Sequence, residues 1–166
     1  MPVVNNITRL LDQRHIAYKP FELPAEKLGA LETARRLGVA PELVYKTIVA
    51  LRATPGTKPV LAVIPGNSQL DLKALAAFLK EKKVHVPTQR EAEVLTGMQA
   101  GGISPLGLVN RGFMILLDQS AAALAELHVS GGQRGLNIRL SVKDLLKITG
   151  ARMAPISAPS TEDDGE

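Results

Sequence analysis

Short apolar runs separated by polar, glycine-punctuated stretches predict helices and strands in mixed order. Ile7, Leu10 and Leu11 share one face of a first helix that Asn5 or Asn6 can cap and that ends near His15. Residues 16–21 read as a short strand, and Pro20 favours an edge position. Leu31, Ala34 and Leu37 predict a second helix closed by Gly38, with Pro41 opening a short helical turn. Residues 44–51 and 59–65 are apolar strands on either side of Thr54-Pro55-Gly56-Thr57, a hairpin pattern. Ser68 and Asp71 have capping-box spacing, predicting a helix to about Lys83 with Leu72, Leu75, Ala76 and Leu79 facing inward. Residues 84–86 form a short strand, and Thr88 with Glu91 opens a helix that Gly97 closes.

Residues 113–117 are apolar on both faces and so predict a central strand. An alanine-rich helix over 120–125 follows, then a half-buried alternating strand over 136–140, then a helix from Ser141 to Gly150. Strands and helices mix without strict alternation, which predicts an α/β (α+β) domain on a mixed sheet. One domain is expected over residues 1–156, with an acidic, disordered tail over 157–166.

Composition narrows the function classes. No run approaches the roughly 18 apolar residues of a membrane helix, and the N-terminus lacks the pattern of a secretory signal. The absence of cysteine excludes a disulfide framework, a thiol nucleophile and a Cys-ligated zinc site, and it fits a cytoplasmic protein. Four acids crowd the last five residues, so the rest of the chain carries about +8 formal charge, pointing to an anionic partner. Only two tyrosines and three phenylalanines are present, too few for a base-stacking platform. An RNA partner would be held through phosphates, shape or one terminal nucleotide in a pocket.

Several chemistries leave no mark. Phosphate-binding glycine motifs, H-E-x-x-H and calcium loops are absent, and His15, His85 and His128 stand isolated. No metal and no cofactor are expected. The informative residue is Lys46, a charged amine inside the otherwise apolar run Val44-Tyr45-Lys46-Thr47-Ile48-Val49. It is either a functional lysine or an edge-strand lysine whose stem packs while its amine reaches water. Two glycine turns, Gly101-Gly102-Ile103-Ser104-Pro105 and Ser130-Gly131-Gly132-Gln133-Arg134-Gly135, are either ordinary loops or places where main chain approaches a ligand. Arg134 would add an anion contact there. Thr47 and Ser68 read first as a strand residue and a helix cap.

Taken together, Val44-Tyr45-Lys46-Thr47, Gln69-Leu70-Asp71-Leu72-Lys73, Thr96-Gly97, Gly101-Gly102-Ile103-Ser104-Pro105-Leu106-Gly107 and Val129-Ser130-Gly131-Gly132-Gln133-Arg134-Gly135-Leu136 resemble the YbaK/ProX family of trans-acting aminoacyl-tRNA deacylases. The similarity runs from about Ile7 to Ile156. It implies a strongly curved mixed sheet or barrel flanked by helices, and hydrolysis of the ester on a mischarged tRNA. Cysteine on a proline tRNA is the expected substrate. The alternatives are alanine or another small amino acid, or a non-catalytic module that binds tRNA or a synthetase. The resemblance implies catalytic roles for Lys46 and for Gly101 and Gly102, whose amides would stabilise an oxyanion. It implies substrate contacts at Thr47, Ser68, Ile103, Ser130 and Gly131. The implied partners are the 3′ aminoacyl-adenosine end of tRNA and prolyl-tRNA synthetase, with no membrane. Leu23 and Leu28 stand where the family carries aromatic pocket walls.

Overall fold

The computed structural model describes residues 3–160. Its first helix, α1 (Asn6–Gln13), starts with a capping box in which Asn5 and Thr8 satisfy each other's backbone amides. Ile7 and Leu11 turn inward from it. Next come β1 (Tyr18–Glu22) and α2 (Ala30–Leu37), which Gly38 ends in the left-handed conformation. The anticipated hairpin is β2 (Tyr45–Arg52) with β3 (Val60–Pro65), in antiparallel register from Tyr45–Pro65 to Ala50–Val60.

The chain then departs from the predicted pattern. Ser68 does not cap a helix: it begins β4 (Ser68–Leu70), and Asp71 caps α3 (Leu72–Leu79) by accepting from Ala74 N. The helix starts one turn later than the Ser68–Asp71 spacing predicts, because Asp71 N donates to Ile156 O while the Asp71 side chain caps the amide three residues on. The helix stops at Leu79 because Lys80 turns left-handed. Strand β5 (Val84–His85) and α4 (Gln89–Thr96), with its Thr88–Glu91 capping box, lead to a 3-10 turn at Pro105–Leu108 and to β6 (Met114–Asp118). The alanine-rich segment is only a 3-10 turn over Gln119–Ala123. Strands β7 (Glu126–Ser130) and β8 (Leu136–Ser141) precede α5 (Val142–Thr149), β9 (Arg152–Ala154) and β10 (Ser157–Pro159). The first three residues assigned by sequence to the tail therefore pair with β4, and residues 161–166 lie outside the described ones.

The sheet system is mixed and does not close into a barrel. A five-stranded sheet runs β5-β2-β3-β6-β9, with β6 and β9 parallel to their neighbours, beside a three-stranded β1-β8-β7 sheet and the β10-β4 pair. The larger core joins Tyr45, Leu61, Val63 and Leu117 of the first sheet to Leu127, Ile138 and Leu140 of the second, with α1 and α5 adding Leu11 and Leu145. The opposite face of the large sheet packs Ala62, Ile64 and Leu116 against Leu75 of α3. Burying each such leucine contributes about 1.5–3 kcal/mol. Buried Asp118 ties the end of β6 to the chain after β9, accepting from Ile156 N at 3.1 Å and from Ser120 N at 3.2 Å.

The sheets meet at one place that positions the site. Val44, just before β2, forms an isolated parallel bridge with His128 of β7. Beyond it no ladder continues among the described residues, and β5 joins β2 only at Leu51 and Arg52. Thr47, whose backbone groups turn away from β3, is thus left on an edge that no ladder covers among the described residues.

Candidate active site

A cleft of about 70 Å³ opens along that uncovered edge. Lys46 and Thr47 of β2 line it, with Gly101 and Ile103 from the first glycine turn and Ser130 at the end of β7. Residues some 80 positions apart in sequence are therefore brought to one small space. Leu23 and Leu28 wall it, and Ala30 and Thr33 of α2 close one side.

Lys46 is buried, at 7% exposure, on the strand face shared with Ile48 and Ala50. The residue belongs to the cleft lining. Tyr45 points to the other face, where its hydroxyl lies 2.7 Å from Ser120 Oγ. Burial raises the Tyr45 pKa, against the opposing pull of that hydrogen bond.

The glycines are there because three loops meet without room for side chains. A Cβ on Gly102 would lie 2.9 Å from Gln133 Cα and 3.1 Å from Arg134 N, so the first glycine turn rests directly on the second. Gly135, at φ +90°, presses on the 23–28 loop: its Cβ would lie 2.9 Å from Leu23 O, and its own carbonyl accepts from Leu23 N at 2.9 Å. The first turn is held from α4 by Ala100 N donating to Glu93 Oε2 at 2.7 Å. It is held from the second turn by Arg134 Nε donating to Ala100 O at 2.7 Å.

These bonds sort the backbone donors. Gly102 N donates to Gln99 O at 2.8 Å, and Gly102 is buried outside the cleft lining. Gly101 N has no main-chain acceptor among the described residues, and Gly101 does line the cleft. Gly131 is likewise spent on structure, donating to Leu136 O at 2.8 Å while its carbonyl accepts from Asn5 Nδ2 at 2.9 Å. Ser68 sits in β4 opposite Pro159, away from the cleft lining. Of the eight residues singled out by sequence, Lys46, Thr47, Gly101, Ile103 and Ser130 converge, and Gly102, Ser68 and Gly131 do not.

The sequence reading missed Asn137. Alternation along β8 assigns it to the half-exposed face with Arg139, yet it is 4% exposed and lines the cleft. Its side-chain oxygen lies 2.8 Å from Nδ1 of His128, which is also buried. The signal available in the sequence was an amide at a strand position flanked by Leu136 and Ile138, opposite Ser130. Burial pushes the His128 pKa down, overriding the Asn137 hydrogen bond, and the Arg139 charge adds to the depression. No described group of histidines or carboxylates has the clustering a metal ion needs.

The arrangement offers one buried ammonium, an open backbone edge and small hydroxyls, but no nucleophile paired with a base. Ser130 Oγ accepts from Gly132 N at 3.2 Å, and His128 is engaged with Asn137. No helix among the described residues is long and apolar enough to cross a membrane.

The chain resembles known proteins along most of its length. EbsC of Enterococcus faecalis, named for a proposed Cys-tRNA(Pro)/Cys-tRNA(Cys) deacylase activity, is 35% identical over 154 residues, 92% of each chain. The solved structure of a proposed trans-editing enzyme for prolyl tRNA synthetase superposes with a TM-score of 0.78 at 26% identity, covering 95% of this chain and 99% of that one. The fold is also that of the hypothetical protein APE2540, with a TM-score of 0.84 at 21% identity, covering 93% of this chain and 100% of that one. Residues 26–148, which hold every cleft residue named above except Leu23, match the aminoacyl-tRNA editing domain, and the chain belongs to that family.

Proposed function

We propose that the chain is a cytoplasmic trans-editing hydrolase that removes a small amino acid from the 3′ end of a mischarged tRNA, with cysteinyl-tRNA(Pro) as its substrate. The observation that carries this reading is the buried Lys46 facing the same 70 Å³ cleft as Gly101 and Ser130. A space of that size suits a small acyl group, while the Thr47 backbone on the uncovered side of β2 offers main-chain groups to the terminal nucleoside.

In this reading the Lys46 ammonium holds the terminal ribose–phosphate and fixes the ester against the first glycine turn. Gly101 N–H donates to the ester carbonyl oxygen as negative charge develops there. The nucleophile is a water admitted with the substrate. Its oxygen adds to the acyl carbon, the ester C–O bond breaks, and the departing ribose oxygen ends protonated. Asn137 and Ser130 bound the acyl side, and Thr47 and Ile103 complete the lining. Prolyl-tRNA synthetase is the proposed source of the mischarged tRNA, consistent with the role named for the trans-editing relative.

Alanine is the competing acyl group. Leu23 and Leu28 select by size and supply no bond to a thiol, and size alone discriminates by only about 1–3 kcal/mol per methylene. The test is ester loss from cysteinyl- and alanyl-tRNA(Pro) incubated with the folded protein. Faster loss of the cysteinyl ester is expected. Faster loss of the alanyl ester would reassign the substrate, and intact esters throughout would overturn the hydrolase reading.

A further inference from the structure

A second and roomier concavity, of about 350 Å³, lies outside the candidate site. One wall is a face of α1, with Asn6, Arg9 and Gln13 at helical spacing. The other follows the 3-10 turn at Pro105–Leu108 and ends in Asn110 and Arg111. Every charged residue in its lining is an arginine. Asp12 of the same helix is engaged elsewhere, accepting from the Tyr18 hydroxyl at 3.0 Å. Arg9 is steadied by donating from Nη1 to Asn6 Oδ1 at 3.0 Å. A third cation stands next to Arg111: Lys58 Nζ would be 3.7 Å from a Cβ placed on Gly112.

This groove shares a loop with the cleft. Ile7, in its lining, is the neighbour that a Cβ on Gly132 would strike at 2.5 Å. Ser130 and Gly135 of the same loop line the cleft. A strand of RNA whose last nucleotide enters the cleft therefore has a cationic groove one loop away. Guanidinium groups flanked by side-chain amides, with no carboxylate, match the oxygens of a phosphodiester backbone.

We infer that the Arg9–Arg111 groove binds the phosphate backbone of the tRNA acceptor arm. This rests on the proposed editing function for the identity of the RNA, while the charge pattern itself is independent of catalysis. The groove contributes affinity common to all tRNAs and leaves the choice of amino acid to the cleft.

The experiment measures binding of uncharged tRNA to the full chain by fluorescence anisotropy over a range of salt concentrations. Both arginines are exposed, so the double variant Arg9→Ala/Arg111→Ala should keep its fold. Binding should weaken about tenfold or more at low salt, and the slope of log affinity against log salt should shrink by about 1.4–1.8 for two lost phosphate contacts. Arg9→Lys/Arg111→Lys should retain that slope. Hydrolysis of a minimal ester, alanyl- or cysteinyl-adenosine, should be unchanged in the alanine variant, while KM for the full mischarged tRNA rises. Unchanged affinity and slope would overturn the inference, as would equal loss of activity on the minimal ester and on tRNA. If the wild-type protein cleaves no ester but its tRNA binding still depends on the two arginines, the groove stands and the hydrolase reading falls.

Discussion

His128 Nδ1 lies 2.8 Å from Asn137 Oδ1, joining a buried imidazole to a side chain that lines the cleft. An amide oxygen can only accept, so Nδ1 carries the proton of a neutral ring. Burial is the main reason the ring resists a second proton. The Asn137 bond and the Glu126 charge favour protonation, and the Arg139 charge opposes it.

A pH dependence follows. The folded His128 titrates below its unfolded value of about 6.5, so in the interval between the two the unfolded chain binds more protons. Its contribution to stability is complete above about pH 6.5 and is lost as pH falls through the depressed folded value. The melting temperature should decline from pH 7.5 to 5.5, and His128→Gln should flatten that decline. Parallel curves for the two proteins would show that another group governs acid sensitivity.

Lys46→Met keeps most of the side-chain volume and removes the charge. The apolar stem stays packed, so the melting temperature should remain near the wild-type value if the ammonium serves the substrate rather than the fold. Turnover should fall by about 100-fold or more if the ammonium fixes the reacting ester. A protein that melts much earlier but still hydrolyses the ester at the wild-type rate would make Lys46 a structural residue.

The contrast between Lys46 and Asn137 shows what the sequence could convey. Lys46 stood out because an ammonium in a strand of Val, Ile, Ala and Leu conflicts with its surroundings. Asn137 did not, because an amide alternating with leucine and isoleucine looks like the wet side of a half-buried strand. Phe21 and His128 flank it on that side: their rings lie 5.4 Å apart, and Phe21 pairs with Asn137 across β1 and β8. Most elements were legible where a periodic run met a cap, as at Asn5, Gly38, Thr88 and Ser141. The short strands β4, β9 and β10 were not, since three residues carry no measurable period and their pairing is entirely long-range. The glycine turns were visible as turns. Which amides they leave open depends on bonds such as Gly102 N to Gln99 O, which composition does not encode.

The reassigned cap of α3 can be checked directly. Asp71 Oδ1 accepts from Ala74 N at 3.0 Å, whereas Ser68 lies in β4 and makes no cap. Asp71→Ala should therefore cost about 1 kcal/mol in denaturant unfolding. Ser68→Ala should stay within about 0.5 kcal/mol of wild type. The reverse ranking would return the helix start to Ser68.

Gly102 and Gly38 make a paired test of whether the two glycine turns must touch. Gly38 ends α2 at φ +71° with nothing near a prospective Cβ, so Gly38→Ala meets only backbone strain, about 1–2 kcal/mol. Gly102 is not in the left-handed region, but its Cβ would lie 2.9 Å from Gln133 Cα and 3.0 Å from Gln133 C. Neither backbone atom can move without carrying the second turn along. Gly102→Ala should cost about 1–3 kcal/mol in stability and in addition separate Gly101 from Ser130 across the cleft. A misplacement on the order of 1 Å can lower turnover by about 100-fold, so kcat should drop in Gly102→Ala and stay unchanged in Gly38→Ala once both are assayed well below their melting temperatures. Equal activity in the two variants would mean that the cleft tolerates parted loops, and that Gly101 does not have to be held at a fixed distance from the wall formed by Ser130.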